Sequence, residues 1–194
     1  MSMSVHIGKI CSKAFHGLYK IQQIRESLSP ETTKTLVHAF DSSHLDHCNS
    51  LLFGVPNYQS DRLQKVLNAA ARLFVDLSKF DHISSAFHDL HGLPVIYRGR
   101  FKLLLLVYKA LNNQAPDYIK DFLHIKTNTT YRLRSQDHNL LAIPRTKHRT
   151  FGDRALAHFW TFFWNKPPRE IRLNPTLAVF KSKLKTYFFK KISV

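Results

Sequence analysis

The stretch that decides the fold class runs from Ser60 to Leu77 and reads SDRLQKVLNAAARLFVDL. Its apolar residues recur every three or four positions, which places them on one face of a helix. That face consists of Leu63, Val66, Leu67, Ala70, Leu73, Phe74 and Leu77. Ser60 or Asp61 is predicted to cap the helix, because their side chains accept hydrogen bonds from the first free backbone N–H groups. The stretch predicts an amphipathic helix packed against other helices.

The same spacing continues upstream of this helix. One predicted buried stripe consists of Ile10, Cys11, Ala14, Phe15, Leu18, Ile21 and Ile24. Ser29 followed by Pro30 predicts a cap and the first residue of a second helix, which carries Leu36, Val37 and Phe40. Residues 44–53 are predicted to continue as a helix that stops at Gly54.

Downstream, Pro94 is predicted to start the most apolar helix, residues 95–111, and Asn112-Asn113 to end it. Further predicted elements are a short segment at 86–90, a short helix from Pro116 through Leu123, one strand at 140–143, a helix at 151–164, and a terminal helix opened by Pro175 with Leu177, Phe180, Leu184 and Phe188 on one face. The predicted fold is mostly α. A helical bundle lobe, 1–125, precedes a smaller basic lobe, 126–194, that is mostly helical with at most one or two short strands.

The charge distribution predicts a polyanionic partner. The 194 residues contain 29 Lys and Arg against 13 Asp and Glu, a net charge of +16. Residues 1–125 have net charge +4, whereas residues 126–194 have 15 basic and 3 acidic groups, net +12. Nucleic acid is the commonest partner of such a surface. An anionic membrane is the competing partner. We predict no membrane binding, because the sequence has neither a lipidation motif nor a long basic amphipathic helix.

The cysteines and the apolar runs indicate in which compartment the protein is expected. Cys11 and Cys48 form no CxxC pair, which argues against a disulfide scaffold and favours a reducing, intracellular location, either nucleus or cytoplasm. The N-terminus has no apolar signal region. The longest strongly apolar run, Leu103–Tyr108, is far shorter than the ~20 residues of a membrane span. We therefore predict a soluble protein.

No motif predicts catalysis, a metal site or a cofactor. Two-metal polymerase chemistry needs paired carboxylates, and Asp117 with Asp121 is better interpreted as an exposed acidic helix face. The histidine and cysteine groups lack a complete zinc-ligand spacing. These groups are His44, His47 and Cys48, and His82, His88 and His91. Cys48, in an apolar stretch, is predicted to be a buried inert thiol. Neither a Gly-x-Ser-x-Gly elbow nor a phosphate-binding loop occurs, and we expect no enzymatic activity of these residues on their own.

The basic C-terminal third supplies the candidate binding residues. We predict phosphate contacts from Arg132, Arg134, Arg145, Lys147, Arg149, Arg154, Lys181, Lys183 and Lys185. The alternative interpretation is a solvated face or a nuclear-localisation-like string. An aromatic run comprises Phe159, Trp160, Phe162, Phe163 and Trp164. These rings could stack on bases, but their density along one helix favours core packing.

Several blocks point in order to one family. They are LDHCNSLL at 45–52, LQKVLNAAARL at 63–73, LHGLPV at 90–95, IPRT at 143–146, GDRA at 152–155, FWNKPP at 163–168 and FKSKLK at 180–185. Together they resemble the region downstream of the polymerase core in reverse transcriptases of non-LTR (LINE-type) retrotransposons, nearest to the CR1, L2 and Jockey-like lineages. His44 and His47 depart from the arginine and tyrosine usual there, as in a decayed copy.

The resemblance extends from about Lys9 to Phe189 and implies a thumb, which grips the template–primer duplex, followed by a C-terminal segment. The family's RNA-directed DNA synthesis, with magnesium, belongs to fingers and palm, which are not among these residues. The expectation is sequence-independent RNA or DNA binding without catalysis. Two alternatives stay open, namely a fragment without function of its own, and a helical interaction module that self-associates through an exposed apolar helix face.

Overall fold

A computed structural model describes residues 3–47, 49–52, 54–75, 92–126, 139–145 and 156–192. Within these ranges the chain is mostly helical and contains no sheet, which confirms the predicted fold class. The helices are α1 (Met3–Gln23), α2 (Pro30–Leu45), α3 (Asn57–Val75), α4 (Val95–Leu111), α5 (Asp117–Lys120), α6 (Leu156–Trp164), α7 (Arg169–Arg172) and α8 (Leu177–Ile192). Two 3₁₀ turns, Arg25–Ser27 and Asn49–Leu52, flank α2.

The chain divides into two compact units, Met1–Gly99 and Arg100–Val194. The division falls inside α4. We call these parts unit 1 and unit 2 and describe each by itself. The predicted lobes, 1–125 and 126–194, divide the chain at a different position, and that division stays a prediction.

Unit 1 is built on three packed helices. Their core contains Ile7, Cys11, Ala14, Leu18 and Ile21 from α1, Val37 and Leu45 from α2, Leu63, Val66, Leu67 and Ala70 from α3, and Val95. The predicted stripe on α1 was wrong at two positions, since Phe15 is 44% exposed and Ile24 is 51% exposed. A helix turns by about 100° per residue, so Phe15 lies to the side of the stripe, and Ile24 follows the last residue of α1.

The start of α2 matches the prediction and its end does not. The backbone N–H of Thr32 donates to Ser29 Oγ at 3.2 Å, and Pro30 is the first helical residue. The predicted helix over 44–53 was wrong, because α2 ends at Leu45 and Asn49–Leu52 forms a 3₁₀ turn. Asn49 Nδ2 donates to Asp46 Oδ1 at 3.1 Å. Asp and Asn favour helix ends and turns over helix interiors.

Helix α3 begins earlier than predicted. It starts at Asn57, and the N–H groups of Gln59 and Ser60 donate to the carbonyl of Pro56 at 2.9 and 3.4 Å. The predicted caps, Ser60 and Asp61, therefore lie inside the helix. Leu77 of the predicted face and the predicted segment at 86–90 lie outside the described residues.

Helix α4 has the predicted bounds, and Asn113 beyond it takes the left-handed conformation (φ 58°) that ends many helices. Helix α5 is shorter than the predicted 116–123. The predicted strand at 140–143 was wrong, because a single antiparallel bridge between Ile125 and Leu141 takes its place. Of the predicted helix at 151–164, residues 151–155 lie outside the described part.

Unit 2 has an aromatic core. Tyr108 of α4 stacks on Phe180 of α8, with ring centres 4.3 Å apart, and Trp164 of α6 lies 6.0 Å from the same ring. The predicted apolar face of α8 is confirmed at Phe180, Leu184 and Phe188, which are buried. The helix starts after Thr176 rather than at the predicted Pro175, and the Phe180 N–H donates to the Thr176 carbonyl at 3.0 Å. Helix α7 was not predicted.

Among the described residues, no helix combines the length and the apolar character needed to cross a membrane.

Candidate nucleic-acid interface

Unit 2 carries nearly all the excess positive charge. It contains 19 Lys and Arg against 5 Asp and Glu, net +14, whereas unit 1 has 10 against 8, net +2. Residues 156–192 contain eight Lys and Arg, and Glu170 is the sole acidic residue in that range. The positive charges of this segment have few negative charges near them in the sequence. Their electric field therefore extends into solvent.

Helix α8 presents three of the predicted binding lysines. Lys181 and Lys183 are exposed, and Lys185 is half-buried with its Nζ 6.0 Å from the ring centre of Phe189. Positions four apart share a helix side, which puts Lys181 and Lys185 in one row. Lys183 and Lys190, seven apart, form a second row across the buried stripe. The helix therefore presents two cationic rows.

Arg145 is exposed in the segment 139–145, which hydrogen bonds hold in place. The Trp164 indole N–H donates to the carbonyl of Asn139 at 2.7 Å. Asn165 Nδ2 donates to the carbonyl of Leu141 at 2.8 Å, and the Leu141 N–H donates back to Asn165 Oδ1 at 3.0 Å. Arg145 therefore extends from an anchored segment. The other predicted site residues lie outside the described residues, and their role stays a prediction. These are Arg132, Arg134, Lys147, Arg149 and Arg154.

The aromatic run at 159–164 is largely core. Phe159, Trp160, Phe163 and Trp164 are buried, which confirms core packing for those four rings. Phe162 differs, since 41% of it is exposed. Base stacking by this helix would therefore be limited to one ring.

A second group of cations, which the sequence prediction missed, surrounds Phe162 and Phe163. Lys166 Nζ lies 4.3 Å from the ring centre of Phe162 and 4.7 Å from that of Phe163. Arg100 Cζ lies 5.1 Å from the ring centre of Phe163. These distances are within the range of cation–π attraction.

Lys191 joins this group through a third ring. Its Nζ lies 5.1 Å from the ring centre of Tyr187, and the Tyr187 hydroxyl donates to the Lys166 carbonyl at 3.4 Å. Burial lowers the pKa of Lys166, and the nearby charges of Arg100 and Lys191 lower it further. We call Arg100, Lys166 and Lys191 the Lys166 cluster.

The contact of Lys166 with Phe162 and Phe163 could have been predicted from the sequence. Phe162 and Phe163 precede Lys166 by four and three positions, the spacing at which side chains meet on a helix. Arg100 and Lys191 come from distant parts of the chain, and no local spacing could have placed them beside Lys166.

Arg172 is a cation that is not available at the surface. Only 7% of it is exposed, and its guanidinium donates from Nη1 to the carbonyl of Asn165 at 3.1 Å. Burial lowers the pKa of this arginine. Arg172 therefore contributes to the internal structure of unit 2 and adds little to its external contacts.

The other chemical groups that the sequence raised do not converge on a site within the described part of the chain. No three His, Cys, Asp or Glu side chains there come together as a metal site. Cys11 is buried, and burial raises the pKa of its thiol, although the charge of Arg62 acts in the opposite direction. Asp117 and Asp121 are exposed, as predicted, and Asp117 Oδ1 lies 3.4 Å from Lys120 Nζ. Cys48, His82, His88 and His91 lie outside the described residues.

Two of the blocks that carry the family resemblance have internal structural roles. In the first, Asp46 accepts a hydrogen bond from Asn49 and lies 3.6 Å from Arg98. In the second, Trp164 and Asn165 hold the segment 139–145. These side chains are engaged in the fold.

No protein-family model, curated protein or solved structure matches this chain.

Proposed function

We propose that this chain binds RNA or DNA independently of sequence, through phosphate contacts from the cationic surface of unit 2. We further propose that it does so as the palm-less C-terminal part of a non-LTR retrotransposon reverse transcriptase, without catalysis of its own. The observation that carries the binding proposal is the segment 156–192, where eight basic residues stand against one acidic residue. Within α8, Phe180, Leu184 and Phe188 are buried, whereas Lys181, Lys183 and Lys190 are exposed.

The lysine spacing on α8 suits a backbone of repeated negative charges. Lys183 and Lys190 are seven residues apart, which corresponds to about 10 Å along a helix axis. Phosphates on one duplex strand follow each other at about 3.4 Å along its axis. One lysine row can therefore meet phosphates several nucleotides apart and release their counterions, without reading any base.

A salt series on charge-matched variants tests this function. The first variant replaces Lys181, Lys183 and Lys185 of α8 with Gln, and the control replaces three exposed lysines of α1, Lys9, Lys13 and Lys20, with Gln. Both lose three positive charges, so they have equal net charge. Binding to a fluorescent single strand and to an RNA–DNA duplex is measured by anisotropy.

The wild type should show log affinity falling linearly with log salt. The α8 variant should flatten that slope by roughly 2–3, about one per lost phosphate contact, and the α1 control should leave it unchanged. An equal effect of the two variants would contradict a unit 2 interface. A wild type without salt-dependent binding would contradict the function and favour the fragment interpretation.

Self-association is the second candidate function, and two exposed rings of α1 favour it. Phe15 and Tyr19 lie one turn apart on the same helix side, and both are exposed. Apolar surface of this kind can serve as a contact site. Sedimentation velocity over a concentration series should then show mass increasing with concentration, and a Phe15→Ser/Tyr19→Ser variant should remain monomeric. A concentration-independent monomer would contradict this candidate.

A further inference from the structure

The Lys166 cluster differs from the lysine rows of α8 in how its cations are held. Lys166 Nζ lies against two rings, at 4.3 and 4.7 Å from their centres. Arg100 shares the Phe163 ring with it, and Tyr187 links Lys166 to Lys191 through its hydroxyl and its ring face. Contacts with rings restrict the rotamers of long side chains, so less conformational entropy is lost when such a cation meets a ligand.

The charge of Lys166 lies beside other positive charges. Arg100 and Lys191 both act unfavourably on the charged form of Lys166. No carboxylate of the described part of the chain forms an ion pair with Lys166 or Lys191. The cation–π contacts of Lys166 with Phe162 and Phe163 oppose this repulsion. A bound anion would relieve it directly, because opposite charge favours the protonated lysine.

The chemistry of the three cations selects the kind of anion. A guanidinium offers a planar fork of N–H donors, and each ammonium offers three more donors as a compact charge. Several donors from separate side chains suit a group with several negative oxygens, as phosphate has. Exposed Phe162 beside Lys166 gives the same position an aromatic surface against which a sugar or base can rest.

We propose that Lys166, flanked by Arg100 and Lys191, is a phosphate subsite and the strongest single anchor of a nucleic acid on unit 2. This inference rests on the proposed function and adds a site to it. The phosphate can be an internal phosphodiester of the strand or a terminal phosphate monoester. Both present negatively charged, non-bridging oxygens to the cluster.

Two matched variants test the subsite. Lys166→Met removes the charge and keeps an apolar stem on the rings, while Lys183→Met removes one charge from an exposed position of α8. Lys166→Arg keeps the charge and should retain binding. Circular dichroism of each variant checks the fold. If Lys166→Met is unfolded, the binding of Lys166→Arg tests the subsite instead, and this variant should bind like the wild type.

The probes are a short oligothymidylate with a 5′-hydroxyl, the same strand with a 5′-phosphate, and a methylphosphonate strand with a neutral backbone. Lys166→Met should weaken binding roughly tenfold or more, as for loss of a charge-assisted hydrogen bond. Lys183→Met should weaken it no more than about threefold, as for a solvated charge. A tenfold loss on the 5′-hydroxyl strand that is absent on the methylphosphonate strand would support a backbone phosphate. A loss confined to the 5′-phosphate strand would support a terminal phosphate.

Equal losses of affinity for the two methionine variants on every strand would overturn the subsite and leave the proposed function standing. Loss of binding in a folded Lys166→Arg variant would have the same meaning. Absence of salt-dependent binding in the wild type would overturn both.

Discussion

The side-chain amide of Asn165 forms two hydrogen bonds with the backbone of Leu141, 24 residues earlier in the chain. Its oxygen accepts from the Leu141 N–H at 3.0 Å, and its nitrogen donates to the Leu141 carbonyl at 2.8 Å. The amide thus takes the place of a neighbouring strand for a residue whose side chain is buried. This pair helps to hold the segment that carries Arg145, together with the Trp164 bond to Asn139.

Replacing Asn165 with Ala should lower the free energy of unfolding by about 1–3 kcal/mol, because the Leu141 N–H and carbonyl lose their partners in a part-buried site. Urea denaturation followed by circular dichroism measures the change. Asn165→Asp should also destabilise the protein, since it keeps the acceptor and loses the donor. Gln22→Ala, which removes an exposed amide from α1, is the control and should change little. An Asn165→Ala protein as stable as the control would contradict the structural role.

Removing the Tyr108 hydroxyl tests the core of unit 2. The hydroxyl donates to the carbonyl of Asn174 at 2.9 Å, and both residues are buried. Tyr108→Phe keeps the stacking on Phe180 and should lower the free energy of unfolding by about 0.5–1.5 kcal/mol. Tyr118→Phe, at an exposed residue of α5, should have no measurable effect on the denaturation midpoint. Equal midpoints for the two variants would be inconsistent with the buried hydrogen bond.

Two glycines of α1 should respond oppositely to alanine. A Cβ at Gly8 would meet only the end of the Arg62 side chain at 3.5 Å, so Gly8→Ala should stabilise the protein by about 0.5–1 kcal/mol through helix propensity. A Cβ at Gly17 would lie 2.8 Å from the Phe40 ring. That overlap should cancel or reverse the gain. In a Phe40→Ala background, Gly17→Ala should regain a benefit like that of Gly8→Ala. Thermal unfolding of the wild type, Gly17→Ala, Phe40→Ala and the double variant measures this coupling, with Gly8→Ala as the reference. Identical effects at Gly17 in both backgrounds would refute it.

The sequence predicted the helices well where side-chain periodicity and local caps decide the structure. Pro30 and its Ser29 cap, the bounds of α4, and the buried face of α8 all follow from local rules. The errors have a local and a distant source. The predicted helix at 44–53 contains Asp46 and Asn49, residue types that favour helix ends and turns, and their side chains bond each other where α2 has ended. Asn165, distant in the sequence, satisfies the backbone of Leu141, for which a strand was predicted.

The candidate site also has a part that local sequence rules predict and a part that they do not. The exposed cations of α8 follow from composition and helical spacing, as does the burial of most of the aromatic run. The Lys166 cluster depends on tertiary approach, since Arg100 and Lys191 reach Lys166 from other helices. A charge count along the chain cannot show which cations share a site.

The lowered pKa of Lys166 predicts a reactive amine. Burial, Arg100 and Lys191 disfavour its charged form, so more of it is neutral at a mildly alkaline pH below the ordinary lysine value of 10.5. An amine-selective acylating reagent should therefore modify Lys166 faster than the exposed Lys183, as measured by mass spectrometry. The rate should rise with pH and level off below 10.5. In the folded state the charged form is destabilising, and that effect diminishes as pH rises through the lowered pKa. Equal rates at the two lysines throughout would contradict the shift.

Lysine protection by a bound strand tests the central claim most directly. Limited acylation of the wild type, with and without a saturating RNA–DNA duplex at low salt, is quantified residue by residue by mass spectrometry. Binding through unit 2 predicts lower modification at Lys166, Lys181, Lys183, Lys190 and Lys191, and unchanged modification at Lys9, Lys13 and Lys20 of α1. Protection spread equally over the two sets, or confined to α1, would contradict a nucleic-acid interface on unit 2.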